Sequence, residues 1–152
     1  MLTLNLSGAA PRIERAAPRD EVGLDEAKAA GVAPGAALVL ENDADVLDAP
    51  LDHVDAVILN FPSFTDGRAY GQARRLRARG FGGDIIARGS VLRDQAIFMS
   101  RCGFTVLELG GQNPEGFLEA LSLYPAFYQS ASDGSSALWA SRHARGRDRE
   151  AA

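Results

Sequence analysis

Four short apolar runs set the architecture open to this chain. Ala37-Leu38-Val39-Leu40, Ala56-Val57-Ile58-Leu59, Ile85-Ile86-Ala87 and Phe104 to Leu109 are β-branched in part and bounded by acids or turn formers. Such runs fit strands buried on both faces, as in a parallel sheet. Helical patterns fill the intervals. Between Asp66 and Arg79, the residues Ala69, Ala73 and Leu76 recur at helical spacing, and Gly80 supplies a C-terminal stop. Ser90 is expected to cap a helix that buries Leu92, Ala96 and Met99, with Val91 and Phe98 alongside, and that ends at Gly103. Asn113 as cap and Pro114 at the first helical position open a last helix running through about Leu123.

From Leu38 the order is β-β-α-β-α-β-α. Right-handed crossovers turn that order into an α/β fold: repeated βα units on a mostly parallel sheet, with flavodoxin-like or partial-barrel curvature. Leu2 to Leu6 is expected to add an edge strand, and Leu24 to Ala30 a short helix. Residues 1–141 read as a single domain. Residues 142–152 carry four arginines and two acids with almost no apolar side chain after His143, and read as a flexible polar tail.

The ligand inventory excludes several chemistries. The histidines are His53 and His143 and the one thiol is Cys102. Neither an iron–sulfur cluster nor a structural zinc site can be assembled from that set in one subunit, so no metal cofactor is expected. The glycine cluster Gly80-Phe81-Gly82-Gly83 precedes a strand instead of following one, so it reads as a turn. No apolar run approaches the roughly 20 residues needed to cross a bilayer, and Met1 to Ala10 lacks the basic start of a signal peptide. A cytoplasmic protein is expected, with no membrane partner.

Charge is unevenly spread. Asp20 to Asp55 holds ten acids and one base, Lys28, whereas Asp66 to Gly103 holds eight arginines and three acids. Opposed segments of this kind suit docking on a partner or on a second copy of the chain. The tail's net charge of +2 is small for a nucleic-acid arm, so no nucleic-acid partner is expected. Arg74, Arg75, Arg77 and Arg79 read as a solvated helix face. Trp139, alone in a polar stretch, either docks on the core or marks an oligomer contact.

In parallel α/β folds functional groups gather at the C-terminal ends of strands. That rule selects Asn60 to Arg68, Arg88 to Gln95 and Glu108 to Asn113. In Phe61 to Tyr70, Thr65 or Asp66 can cap the following helix and Arg68 can grip an anion with its planar fork; the plainer reading is a cap beside an exposed arginine. In Arg88 to Gln95, the arginine, the turn at Gly89 and free amides at Ser90 would make an anion site for phosphate, sulfate, sulfite or a carboxylate. Arg93, Asp94 and Gln95 point to different sides of a helix and cannot all face one ligand. In Arg101-Cys102-Gly103, Arg101 can pair back to Asp94, and Cys102 reads as a buried structural thiol.

Phe61-Pro62 through Asp66-Gly67-Arg68-Ala69-Tyr70, then Ala73-Arg74, Leu76-Arg77, Val91-Leu92-Arg93-Asp94-Gln95 and Arg101-Cys102-Gly103-Phe104 resemble a bacterial family of unknown function. Its members are described as oxidoreductases of sulfite reduction, because their genes lie beside those for sulfite reductase and sulfate assimilation. Tyr128-Gln129 resembles the family's closing motif, and the likeness runs from about Ala37 to Gln129. Ser63 stands where the family pattern has lysine, Gly71 where it has serine and Ser90 where it has aspartate. The lysine's absence removes one cation from the expected anion pocket.

The resemblance implies a pathway more firmly than an activity. As an enzyme, the protein would hold a sulfur oxyanion or its nucleotide carrier with Arg68, Arg88 and Arg93, beside Ser90, Asp94, Gln95 and Arg101. Asp66 would orient an arginine, and Tyr70 or Tyr128 would hydrogen-bond the substrate or supply a proton. Electrons would then come from an organic cofactor or a partner protein. As an accessory, it would dock on sulfite reductase or its electron donor without turnover. As a sensor, it would bind a small anion and signal through association, for which a homo-oligomer is one route.

Overall fold

The computed structural model describes residues 1–8, 10–124, 126–132 and 137–138. Trp139, His143 and the tail at 142–152 lie outside the described residues. Among the described residues seven strands form one sheet: β1 (Leu2–Asn5), β2 (Arg12–Arg15), β3 (Glu21–Gly23), β4 (Ala37–Leu40), β5 (Ala56–Phe61), β6 (Asp84–Gly89) and β7 (Val106–Glu108). Its order is β2-β1-β7-β6-β5-β4-β3. The strands β3 to β7 are parallel and lie side by side in unbroken chain order, while β1 pairs antiparallel with both β7 and β2. The α/β class and the mostly parallel sheet are as the sequence leads one to expect. Leu2–Asn5 is an interior strand, however, because the polar segment Arg-Ile-Glu-Arg pairs outside it.

Four helices follow the strands: α1 (Leu24–Ala30), α2 (Arg68–Ala78), α3 (Ala96–Cys102) and α4 (Pro114–Ser122). The two glycine stops behave as the spacing predicts. After α2, the Phe81 amide donates to the Leu76 carbonyl and the Gly80 amide to the Arg77 carbonyl, with Gly80 at φ 82°. That pairing is the Schellman closure, which needs a left-handed residue. Asn113 accepts from the Glu115 amide and caps α4.

Alternation along the strands separates two faces. Leu38, Leu59, Ala87 and Leu107 share a buried cluster with the helix residues Ala27, Ala69, Ala73, Leu76, Ala96, Met99 and Phe117. Ala37, Ala56, Ile58 and Ile86 form a second cluster with Val39 and Val106, all of them strand residues. Strands that advance in one direction with one-handed crossovers place their helices on one face, and this is the winding of a partial barrel.

The N-terminal connection shows how strongly the sheet curls. Residues 16–20 join β2 to β3, the two outermost strands. Six residue steps reach at most about 21 Å, whereas six gaps in a flat sheet would span about 29 Å. The sheet therefore closes on its helix-free face, and residues 16–20 form a strap beneath it. The Ala16 amide on the Met1 carbonyl and the Ala37 amide on the Asp20 carbonyl fasten the strap's ends.

The helix expected from Ser90 is shorter than the sequence suggests. The chain bends at Ser90 and is extended at Leu92, a 3-10 turn occupies Arg93–Gln95, and α3 begins only at Ala96. The cause is tertiary. Gly89, at φ 99°, passes so close to β5 that an added Cβ would meet the Phe61 carbonyl oxygen at 2.4 Å. The Ser90 amide then donates to that same oxygen at 2.8 Å, and the Val91 amide to the Gly89 carbonyl. The helix start is spent on holding β5.

Candidate functional site

The sequence-selected residues fall into three places. Arg88 lies on the helix-free face of β6, Arg101 lies in the last turn of α3 with Tyr128 next to its partners, and the others lie around the C-terminal ends of the strands. The fork of Arg88 is filled on both edges. Its Nη1 and Nη2 donate to Glu21 of β3, each at 2.7 Å, while Nε and Nη2 donate to Glu108 of β7 at 2.8 and 2.9 Å. These bonds hold the Glu21 carboxyl below the usual carboxylate range and stabilise the guanidinium cation. The clamp borders a cavity of about 470 Å³ between sheet and strap, with Ile58, Ile86 and Val106 as its apolar floor and Arg19 paired to Asp84 at 3.4 Å on its wall. Sequence reasoning missed Glu21, and it placed Glu108 at a strand end without pairing it to Arg88. The alternation of β6 puts Arg88 on the face of Ile86, and that parity was the available signal.

Asp66 and Arg68 meet in the loop before α2. Arg68 Nη2 donates to Asp66 Oδ2 at 2.6 Å and its amide to Oδ1 at 3.1 Å. The capping position itself is Gly67, and the Asp66 carboxylate serves the first helical amide from outside. Hydrogen bonds from the Arg68 side chain and then its amide hold Asp66 at about 2. Asn42 Nδ2 adds a bond at 2.5 Å, which ties the loop after β4 to the same carboxylate.

Gln95 and Phe64 form the rim above β5 and β6. Gln95 Nε2 donates to the Phe64 carbonyl at 2.9 Å, and its buried Oε1 has no hydrogen-bond partner among the described residues. Phe64 is 55% exposed, and Phe98, one helical turn beyond Gln95, is 59% exposed. Arg93 lies alongside α4, its Cδ facing Gly116. Asp94 shares the 3-10 turn and is near enough to Tyr70 to act on it electrostatically.

Tyr70 faces inward from α2, edge-on to Phe61 at 5.3 Å and to Phe104 at 6.3 Å. Burial, with the nearby Cys102 and Asp94 adding to it, pushes its hydroxyl up to about 12. An unfolded tyrosine ionises near 10. The folded state therefore keeps a proton that the unfolded state releases, and its stability falls as pH rises from about 10 to 12. Tyrosinate absorbance is expected to show a component near pH 12 that disappears in Tyr70→Phe, which would also flatten the alkaline loss of stability. A Tyr70 that titrates near 10 would contradict its packing.

Cys102 packs against the core, and burial raises its thiol, with Arg74 and Arg101 pulling the other way. Arg101 Nη2 donates to the Gln129 carbonyl at 2.7 Å, and its guanidinium stacks 3.8 Å from the Phe127 ring. Tyr128, beside it, is 75% exposed, in contrast to the inward-facing Tyr70. Of the helical arginines expected on a solvated face, Arg74 and Arg75 are exposed, whereas Arg77 and Arg79 are tied to backbone carbonyls. Arg77 donates to the Phe81, Gly83 and Gly103 carbonyls, and Arg79 to those of Val46 and Ala49.

Among the described residues, no group of three His, Cys, Asp or Glu side chains could hold a metal, and no helix is long and apolar enough to cross a membrane. The model of a family described as "Bacterial protein of unknown function (DUF934)" matches residues 35–139. No curated protein and no solved structure matches the chain.

Proposed function

The chain belongs to that bacterial family of unknown function, and from this premise we propose that it serves sulfite reduction as an accessory that docks on sulfite reductase. The pathway comes from the family resemblance in the sequence. The observation that carries the docking is the pair of exposed phenylalanines, Phe64 and Phe98, joined through Gln95 at the strand-end rim. Exposed aromatics held on ordered backbone are what interface centres are made of. The Arg68 fork, one of those open to an anion reading, already carries the Asp66 carboxylate. Tyr70 is too tightly held in its protonated form to serve as a proton donor near neutral pH. Both points favour association over turnover.

The test is titration calorimetry of the full chain with sulfite reductase holoenzyme. Complex formation is expected, and the double change Phe64→Ser, Phe98→Ser should weaken it by about tenfold or more. Raising salt from about 50 to about 300 mM should weaken it further if the rim's charged neighbours steer the encounter. Unchanged affinity in the double variant, with the fold intact, would remove the rim from the interface. No complex at any concentration tried would overturn the reading.

A further inference from the structure

The two carboxylates on Arg88 are not equivalent. Glu108 ends β7, a strand flanked by β1 and β6, and its side chain is 9% exposed. Glu21 stands on the three-residue edge strand β3 next to the strap, and its side chain is 41% exposed. It meets the arginine end-on, two oxygens on two nitrogens, each at 2.7 Å. This is the geometry with which a guanidinium recognises a free carboxylate. Below the fork, two residues or about 7 Å down the strands, lie Ile86 and its lateral neighbours Ile58 and Val106. The cavity over them holds about 470 Å³, within the range of small-molecule sites.

We propose that this cavity is a binding site for a small aliphatic carboxylate, and that Glu21 is its internal stand-in, occupying the Arg88 fork until the ligand displaces it. The exchange keeps the charge balance, since one carboxylate leaves the guanidinium as another arrives. The ligand's alkyl body gains the Ile58, Ile86 and Val106 floor. Glu108 stays in place and fixes the arginine's plane. The site lies on the opposite face from the helices and does not involve Phe64 or Phe98, so it stands apart from the docking reading.

An internal competitor lowers apparent affinity by the fraction of molecules in which the fork is free. Hexanoate is the probe, titrated by calorimetry into the full chain. Glu21→Ala is expected to bind it about tenfold or more tightly than the unchanged protein. Glu14→Ala removes a carboxylate that lines the same cavity but rests on Asn5, and it should leave affinity unchanged. In the unchanged protein, saturating hexanoate should also speed amide exchange in residues 16–23, because the strap loses its anchor at Glu21. No gain in Glu21→Ala, or an equal gain in Glu14→Ala, would overturn the stand-in. Equal tightening for inorganic sulfate and hexanoate would overturn the assignment to an aliphatic ligand.

Discussion

Phe61→Ala is expected to cost about 3–5 kcal/mol. Phe61 closes β5 on the helix side, where it is almost fully buried. Its ring lies edge-on to Tyr70 of α2 at 5.3 Å and tilted against Phe104, which leads into β7, at 5.7 Å. Truncation removes the transfer energy of the ring and leaves a cavity among groups that belong to three elements and cannot all collapse inward. Total stabilities of domains this size are about 5–15 kcal/mol, so the change threatens folding at 37 °C. Urea unfolding checks it, with Phe61→Leu as the volume-sparing control expected to keep most of the stability. A loss below about 1 kcal/mol would show that the aromatic cluster is not the joint described above.

Arg77→Ala is expected to cost about 3 kcal/mol, although the residue sits in a helix face rich in arginine. One guanidinium satisfies three carbonyls, those of Phe81, Gly83 and Gly103, at 2.7 to 3.0 Å. It thereby joins the end of α2, the turn into β6 and the end of α3. Burial lowers its hold on the proton, with Asp84 partly compensating. Gly103 makes room, because an added Cβ would meet Arg77 Cγ at 2.6 Å. Removing the fork strands carbonyls away from water, a penalty larger than the net worth of the bonds. Arg77→Lys supplies a point charge without the fork and should recover only part of the loss. Full recovery by lysine would mean that charge, not geometry, is what the three carbonyls need.

The parallel strands were legible because each is an apolar run too short for a helix and bounded by acids or glycine. Their faces were not. The same runs that pack on helices at Leu38 and Leu59 also bury Ala56 and Ile58 beneath a strap, and an unalternating run does not announce which side carries the helices. β2 and β3 were illegible because they are short, polar and at the sheet edges, where pairing is set by tertiary closure. Ser90 resembled a helix cap, but the close approach at Gly89 gave its amide a better partner in Phe61. The anion pocket expected around Arg88 contains that arginine together with two carboxylates, Glu21 and Glu108, which are 67 and 20 residues away in sequence. Asp66 with Arg68 was legible, since both partners lie within one loop.

The pairing of β1 with β7 has a consequence for synthesis. Thr3 finds its partner at Glu108, so an emerging chain must wait for roughly a hundred residues, on the order of 5–20 seconds of translation. During that interval the hairpin of β1 and β2 can form, but the edge of β1 destined for β7 stays open, an invitation to mispairing. The charges on the neighbouring strand, Arg12, Glu14 and Arg15, all exposed, discourage other chains from stacking there meanwhile. The strap closes only when β7 arrives, so β1, made about a hundred residues before its partner, is among the last elements to be secured.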